Sequence, residues 1–160
     1  MNIRQLEGSE IYILEKLLYE ALFIPENVEP PPFEIIKQPA INNYINNFGN
    51  KKDDYCLVAE IDGQIVGGVW VRILSDEIKG FGNIDDETPE FAISVNKEYR
   101  KKGIGTKLML EMIDYLKKSG YKKCSLSVQK ANYAVKFYLS LGFKIIKEKK
   151  EEYLMVLEFI

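Results

Sequence analysis

The chain has 160 residues, 46% of them hydrophobic and 29% charged, with 22 Lys and Arg against 24 Asp and Glu, two cysteines and no histidine. This size suits one globular domain, and a net charge of -2 gives no electrostatic case for nucleic acid as the main partner. The missing histidine excludes Ser-His-Asp and Cys-His catalysis, an imidazole base and histidine-ligated zinc, so proton transfer falls to carboxylates, tyrosine, lysine, the termini or water. No apolar run reaches the ~18 residues of a membrane span, and the first ten residues have no signal-peptide profile. Cys56 and Cys124 lie in apolar runs without metal-ligand or disulfide spacing. The expectation is a reduced, cytoplasmic protein with no metal and no membrane partner.

In chain order, a strand is expected over Asn2–Leu6 and an amphipathic helix over Ser9–Leu22, where Ile11, Leu14, Leu18, Ala21 and Leu22 share a face. Pro25 and Pro30-Pro31-Pro32 stop that helix. A second helix is read over Phe33–Asn46, with Pro39 early in it or splitting it. Tyr55–Ile61 and Gln64–Leu74 are strands joined by Asp62-Gly63, a type I′ hairpin signal. Gly67-Gly68 marks a bulge or a close backbone approach, and Ser75–Thr88 is a polar loop. A strand at Glu90–Val95 runs into a glycine-bearing turn, Arg100–Gly105, and a helix reaching about Ser119, with Gly120 as its C′ residue. Strand Cys124–Val128, helix Asn132–Leu141, strand Phe143–Ile146, a charged turn at Lys147–Glu152 and strand Tyr153–Phe159 complete a mixed α/β domain covering residues 1–160.

The turn carries the chemistry. A strand feeding a glycine-bearing turn that opens a helix is a device for holding phosphate, because the first helical N–H groups lack intrahelical partners. Gly103 and Gly105 permit close backbone approach, and Arg100, Lys101 and Lys102 add charge. The turn matches neither a Walker A loop nor the dinucleotide Gly-x-Gly-x-x-Gly pattern. Further on, Ser127-Val128, Asn132, Ala134, Phe137-Tyr138-Leu139 and Leu141-Gly142-Phe143 form a second motif. Together with Arg100-x-x-Gly103-x-Gly105, this resembles the GNAT superfamily of N-acetyltransferases.

That resemblance implies a mixed, mostly antiparallel sheet of about seven strands, with one splayed parallel pair and about four flanking helices. It also implies acetyl-CoA as co-substrate, a primary amine acceptor on a small molecule or a protein, and homodimers of the kind common in such families. Ile93 and Val95 would offer backbone contacts to the pantetheine arm. Arg100, Lys101, Lys102, Gly103, Ile104, Gly105 and Thr106 would surround the pyrophosphate. Asn132, Phe137 and Tyr138 would complete the cofactor wall. Tyr138 would protonate the departing thiolate. Glu90, on the strand face of Ala92 and Ser94, is the leading base, with Glu60 and water as alternatives. The loop Glu26–Pro39, with Phe33 and the acids Glu26 and Glu29, would border the acceptor. Cys124, Cys56 and Trp70 read as core residues. A non-catalytic acyl-CoA-binding module is the competing function.

Overall fold

The computed structural model describes residues 1–160 and contains seven strands: β1 (Asn2–Gln5), β2 (Tyr55–Ile61), β3 (Gln64–Arg72), β4 (Glu90–Val95), β5 (Lys123–Gln129), β6 (Lys144–Glu148) and β7 (Glu152–Glu158). They form one sheet in the order β1-β2-β3-β4-β5-β7-β6. All neighbours are antiparallel except β4 and β5. Those two are connected by the crossover helix α3 (Ile104–Lys118), as a parallel pair requires. The other helices are α1 (Ile13–Ala21), the single turn α2 (Pro39–Asn42) and α4 (Ala134–Ser140).

Alternation in β2 and β3 feeds two cores. Leu57, Ala59, Val69 and Val71 face Leu108, Met109, Met112 and Leu116 of α3, whereas Cys56, Val58 and Trp70 face Leu14, Leu17 and Leu18 of α1. Both cysteines and Trp70 are core residues, as expected. Asp62 and Gly63 both take positive φ, as the type I′ reading requires. The register of β2 on β3 slips between Ala59 and Glu60, placing a bulge at Val66, beside Gly67. A Cβ on Gly67 would stand 2.9 Å from the Ser94 carbonyl oxygen, so bulge and close approach coincide there.

Two helices are shorter than the pattern implied. The segment 8–22 begins with a 3₁₀ turn at Gly8–Glu10 before α1, and Phe33–Asn46 divides into a 3₁₀ turn at Phe33–Lys37 followed by α2. Pro39 causes the second break: it forces Gln38 into extended geometry, ψ 133, and then serves as the first residue of α2.

Beyond α2 the chain is fastened to β3 by buried polar groups. Arg72, 2% exposed, donates from Nε and Nη2 to the two Asp54 carboxylate oxygens, each at 3.0 Å. Its Nη1 donates to the carbonyls of Asn43 and Asn46 at 2.9 and 2.8 Å. Trp70 Nε1–H donates to the Tyr44 carbonyl at 3.1 Å. Four of the five guanidinium N–H groups are used, so the 43–54 segment is held over the sheet. Asp54→Asn, which leaves the buried guanidinium without its countercharge, is expected to cost about 3 kcal/mol in urea unfolding. A loss below about 1 kcal/mol would mean the pair is dispensable.

Candidate active site

β4 and β5 are in register at one pair only, Glu90 with Ser125, where the Ser125 N–H donates to the Pro89 carbonyl at 3.0 Å. Beyond it they diverge. The Asn96 N–H bonds the Val66 carbonyl at 2.8 Å. Strand alternation therefore sends the main-chain groups of Ala92 and Ser94 toward β3, and those of Ile93 and Val95 into the gap. Arg100 Nε donates to the Val95 carbonyl at 3.0 Å, folding the basic turn back onto the end of β4.

The start of α3 borders the same gap. Lys101 and Gly103 both take positive φ, 63 and 81. No side chain caps the helix, and none of the N–H groups from Lys101 to Thr106 donates within the chain. A 15-residue helix thus presents its positive end uncapped. Gly103 is required by its left-handed backbone. Gly105 is not: a Cβ there would meet Ile93 and Val95 side chains at an ordinary 3.9 Å.

The gap opens into a cleft of about 720 Å³. Every residue expected to hold the cofactor lines it except Lys102, whose ammonium lies over the Tyr99 ring at 5.4 Å; Lys97 and Tyr99 join the wall instead. Asn132 Oδ1 accepts from the Ala134 N–H at 2.9 Å, which starts α4 and fixes the side chain on the wall. Tyr138, 8% exposed, packs edge-on against Phe91 and Phe143, and burial pushes its phenol pKa up.

A second hollow of about 250 Å³ adjoins the first, sharing Leu22, Ile93, Asn132 and Tyr138. Glu90 lies in its wall on the Ala92 face, and β4 reaches that face with no bulge. Only 3% of Glu90 is exposed. Its Oε2 accepts from the Tyr44 hydroxyl and from the Gly82 N–H at 2.9 Å, whereas Oε1 is buried without a partner. Burial raises this carboxyl to about 7, against the pull of both hydrogen bonds.

Two residues lining this hollow, Tyr44 and Glu152, and Gly82, whose N–H bonds Glu90, escaped the sequence reading. Tyr44 joins two parts: its hydroxyl donates to Glu90, accepts from the Phe81 N–H at 2.9 Å, and its ring stacks on Phe81. Gly82 sits against β5, where a Cβ would stand 2.7 Å from the Leu126 carbonyl carbon, and its carbonyl accepts from Ser125 Oγ at 2.7 Å. Glu152, at the start of β7, accepts from Ser127 Oγ at 3.0 Å. The glycine–aromatic–glycine run 80–82 was the available signal for this loop.

Other expectations are corrected. Glu60 is tied to Arg4 at 3.0 Å beside β1 and lines neither hollow. Glu26 and Glu29 are exposed and outside both walls, and Phe33 packs on Tyr19. The wall of the smaller hollow includes Leu22, Phe23, Ile41 and Tyr44, and the 26–39 loop contributes Pro30 to the larger cleft.

A sheet parted between its parallel strands, with an open helix end at the parting, is the architecture of an N-acetyltransferase fold. A model of the acetyltransferase (GNAT) family matches residues 15–143, and the chain belongs to that family. It is 36% identical over 104 residues to a Xenopus laevis protein named probable N-acetyltransferase camello, covering 62% of this chain and 43% of that one. The match thus spans less than half the length of that relative. An uncharacterized N-acetyltransferase of Archaeoglobus fulgidus is 35% identical over 106 residues, 62% of this chain and 67% of that one. The structure of the PaiA N-acetyltransferase from Thermoplasma acidophilum, in complex with coenzyme A, superposes with a TM-score of 0.72. That likeness covers 99% of this chain and 98% of the other at 22% identity. The residues present fit such a ligand: unpartnered amides await an anion, and Gly105 keeps open a space that the chain itself does not fill.

The position of Glu90 makes a stability prediction. Its folded-state pKa of about 7 lies above the ordinary carboxylate value, so the folded chain binds more protons than the unfolded one in between, and stability falls as pH rises through that window. Glu90→Gln keeps an acceptor for Tyr44 and Gly82 while removing the buried charge. It should stabilise the fold by roughly 2 kcal/mol near pH 8, with the gain vanishing near pH 4–5. Thermal unfolding of both proteins across this range checks it; a gain independent of pH would refute the assignment.

Proposed function

We propose that the chain transfers the acetyl group of acetyl-CoA to a primary amine of a small molecule or protein, by direct attack on the thioester, with residues 1–160 acting as one unit. The observation that supports this most is the continuity of the two hollows. An uncapped helix start and an open strand edge lead into a chamber walled by a buried carboxylate and by a phenol whose pKa burial raises.

Bound acetyl-CoA supplies an activated acetyl thioester. The amides from Gly103 to Thr106, with Arg100 and Lys101, hold its pyrophosphate. Main-chain groups of Ile93 and Val95 hold the pantetheine arm as an added strand, and an N–H of one of them polarises the acetyl carbonyl. Asn132 and Phe137 flank the arm. Glu90, with a proton affinity near neutrality, accepts a proton from the incoming ammonium, directly or through water. The neutral nitrogen bonds to the acetyl carbon as the carbon–sulfur bond breaks. The Tyr138 hydroxyl gives its proton to the departing sulfur, burial keeping that phenol protonated until then; the acetylated nitrogen gives its surplus proton to the phenolate, restoring Tyr138, and the proton on Glu90 passes to water.

Two variants test the division of labour. Tyr138→Phe should lower amine-dependent thiol release about 100-fold or more, with the acetyl-CoA dissociation constant within about threefold of the parent; unchanged turnover removes Tyr138 from the chemistry. Gly105→Ala should leave the unliganded protein as stable or up to ~1 kcal/mol more so, yet abolish most of the thermal shift given by acetyl-CoA. A retained shift would place the ligand elsewhere. Binding without thiol release for any amine would favour the non-catalytic acyl-CoA module.

A further inference from the structure

The chamber around Glu90 has a charge pattern that acetyl transfer by itself does not demand. Its body is apolar, formed by Leu18, Leu22, Phe23, Ile41, Phe81 and Phe91. Its acidic groups are Glu90 and Glu152, its other titratable groups are the phenols of Tyr44 and Tyr138, and no lysine or arginine lines it. The cations Lys97, Arg100 and Lys101 belong to the wall of the larger cleft. Lys149 reaches Glu152 Oε1 at 3.5 Å, but it lies on the hairpin outside the chamber wall. Glu152 is fixed from within by Ser127 Oγ. Glu90 Oε1 is buried against Gly80 and Oε2 is held by Tyr44 and Gly82, so the position of this carboxylate in the wall is fixed.

An amine enters such a space as a cation and is attracted. A carboxylate on the carbon next to that amine would have to enter with it, losing water and facing two acids, with no cation in the chamber wall to pair with it. We propose that this chamber selects primary amines with an apolar body and no adjacent carboxylate, rejecting free α-amino acids, and that Glu152 sets the selectivity. An alkyl or aralkyl amine has this chemistry. So does the N-terminus of a chain, where an amide replaces the carboxylate. The inference rests on the acetyl-transfer reading above and concerns which amine is used.

The test measures thiol release by the full chain at saturating acetyl-CoA with 2-phenylethylamine, phenylalaninamide and phenylalanine, as kcat/KM per free-base amine. Phenylalanine should fall at least about tenfold below the better of the other two. In Glu152→Gln that gap should narrow about threefold or more, a change that a merely structural role for Glu152 would not give, since it would affect all three amines alike. Preference for phenylalaninamide supports a chain N-terminus as the natural source; preference for 2-phenylethylamine supports a free amine. Equal use of phenylalanine, or a gap unmoved by the substitution, overturns the inference while leaving acetyl transfer intact. No thiol release with any of the three, despite a thermal shift with acetyl-CoA, overturns the transfer reading and this inference together.

Discussion

The structure turns on the parting of β4 from β5 after one pair of residues. Main-chain N–H and C=O groups facing a gap are costly unless something satisfies them, and a continuous sheet avoids that cost by staying zipped. Here the sheet is prevented from zipping. At one end of the gap Gly82 lies against the β5 backbone, its lack of a Cβ letting the 75–89 loop fill the space beside Glu90. At the other end the left-handed residues Lys101 and Gly103 turn the chain so that α3 starts facing the gap with its amides free. An open strand edge and an uncapped helix end, each unfavourable alone, together make a site for an extended ligand carrying phosphates.

The carboxylate at the narrow end depends on a longer chain of contacts. Trp70 and Arg72 on β3 hold the carbonyls of residues 43, 44 and 46. That hold sets Tyr44 over the sheet, and Tyr44 in turn grips both Glu90 and the Phe81 amide. Glu90 thereby stays buried at the cost of a raised proton affinity, the condition that suits a base working near neutral pH. A carboxylate kept in such surroundings is an expense to the fold.

Much of this was legible in the residues because the controlling signals are local. The Asp62-Gly63 hairpin, the Gly103 turn, the stripe of α3 and the Gly120 stop are set by backbone preference and by periodicity within a dozen residues. They placed the strand–turn–helix correctly and with it many of the residues that line the larger cleft. What escaped was long-range. Tyr44 lies in a stretch read as helix, and nothing nearby in sequence announces a partner 46 residues away. Glu152 sits in a run of charges that looks solvated, and its meaning comes only from the pairing of β7 with β5, which brings it to Gln129 and Ser127. Glu60 is the converse: its strand was right, but an arginine on β1 had already claimed it. The Lys102 ammonium lies over the Tyr99 ring, outside the cleft wall, a placement that the basic run alone does not announce.

The account therefore stands on main-chain groups that have no partner within the protein until a ligand arrives. Residue-resolved amide hydrogen exchange, with and without acetyl-CoA, reads those groups directly. The N–H groups of Ile93, Val95 and Gly103 to Thr106 are predicted to slow markedly on adding the ligand, while the α3 interior beyond its first turn changes little. Equal exchange at those amides with ligand bound would contradict it.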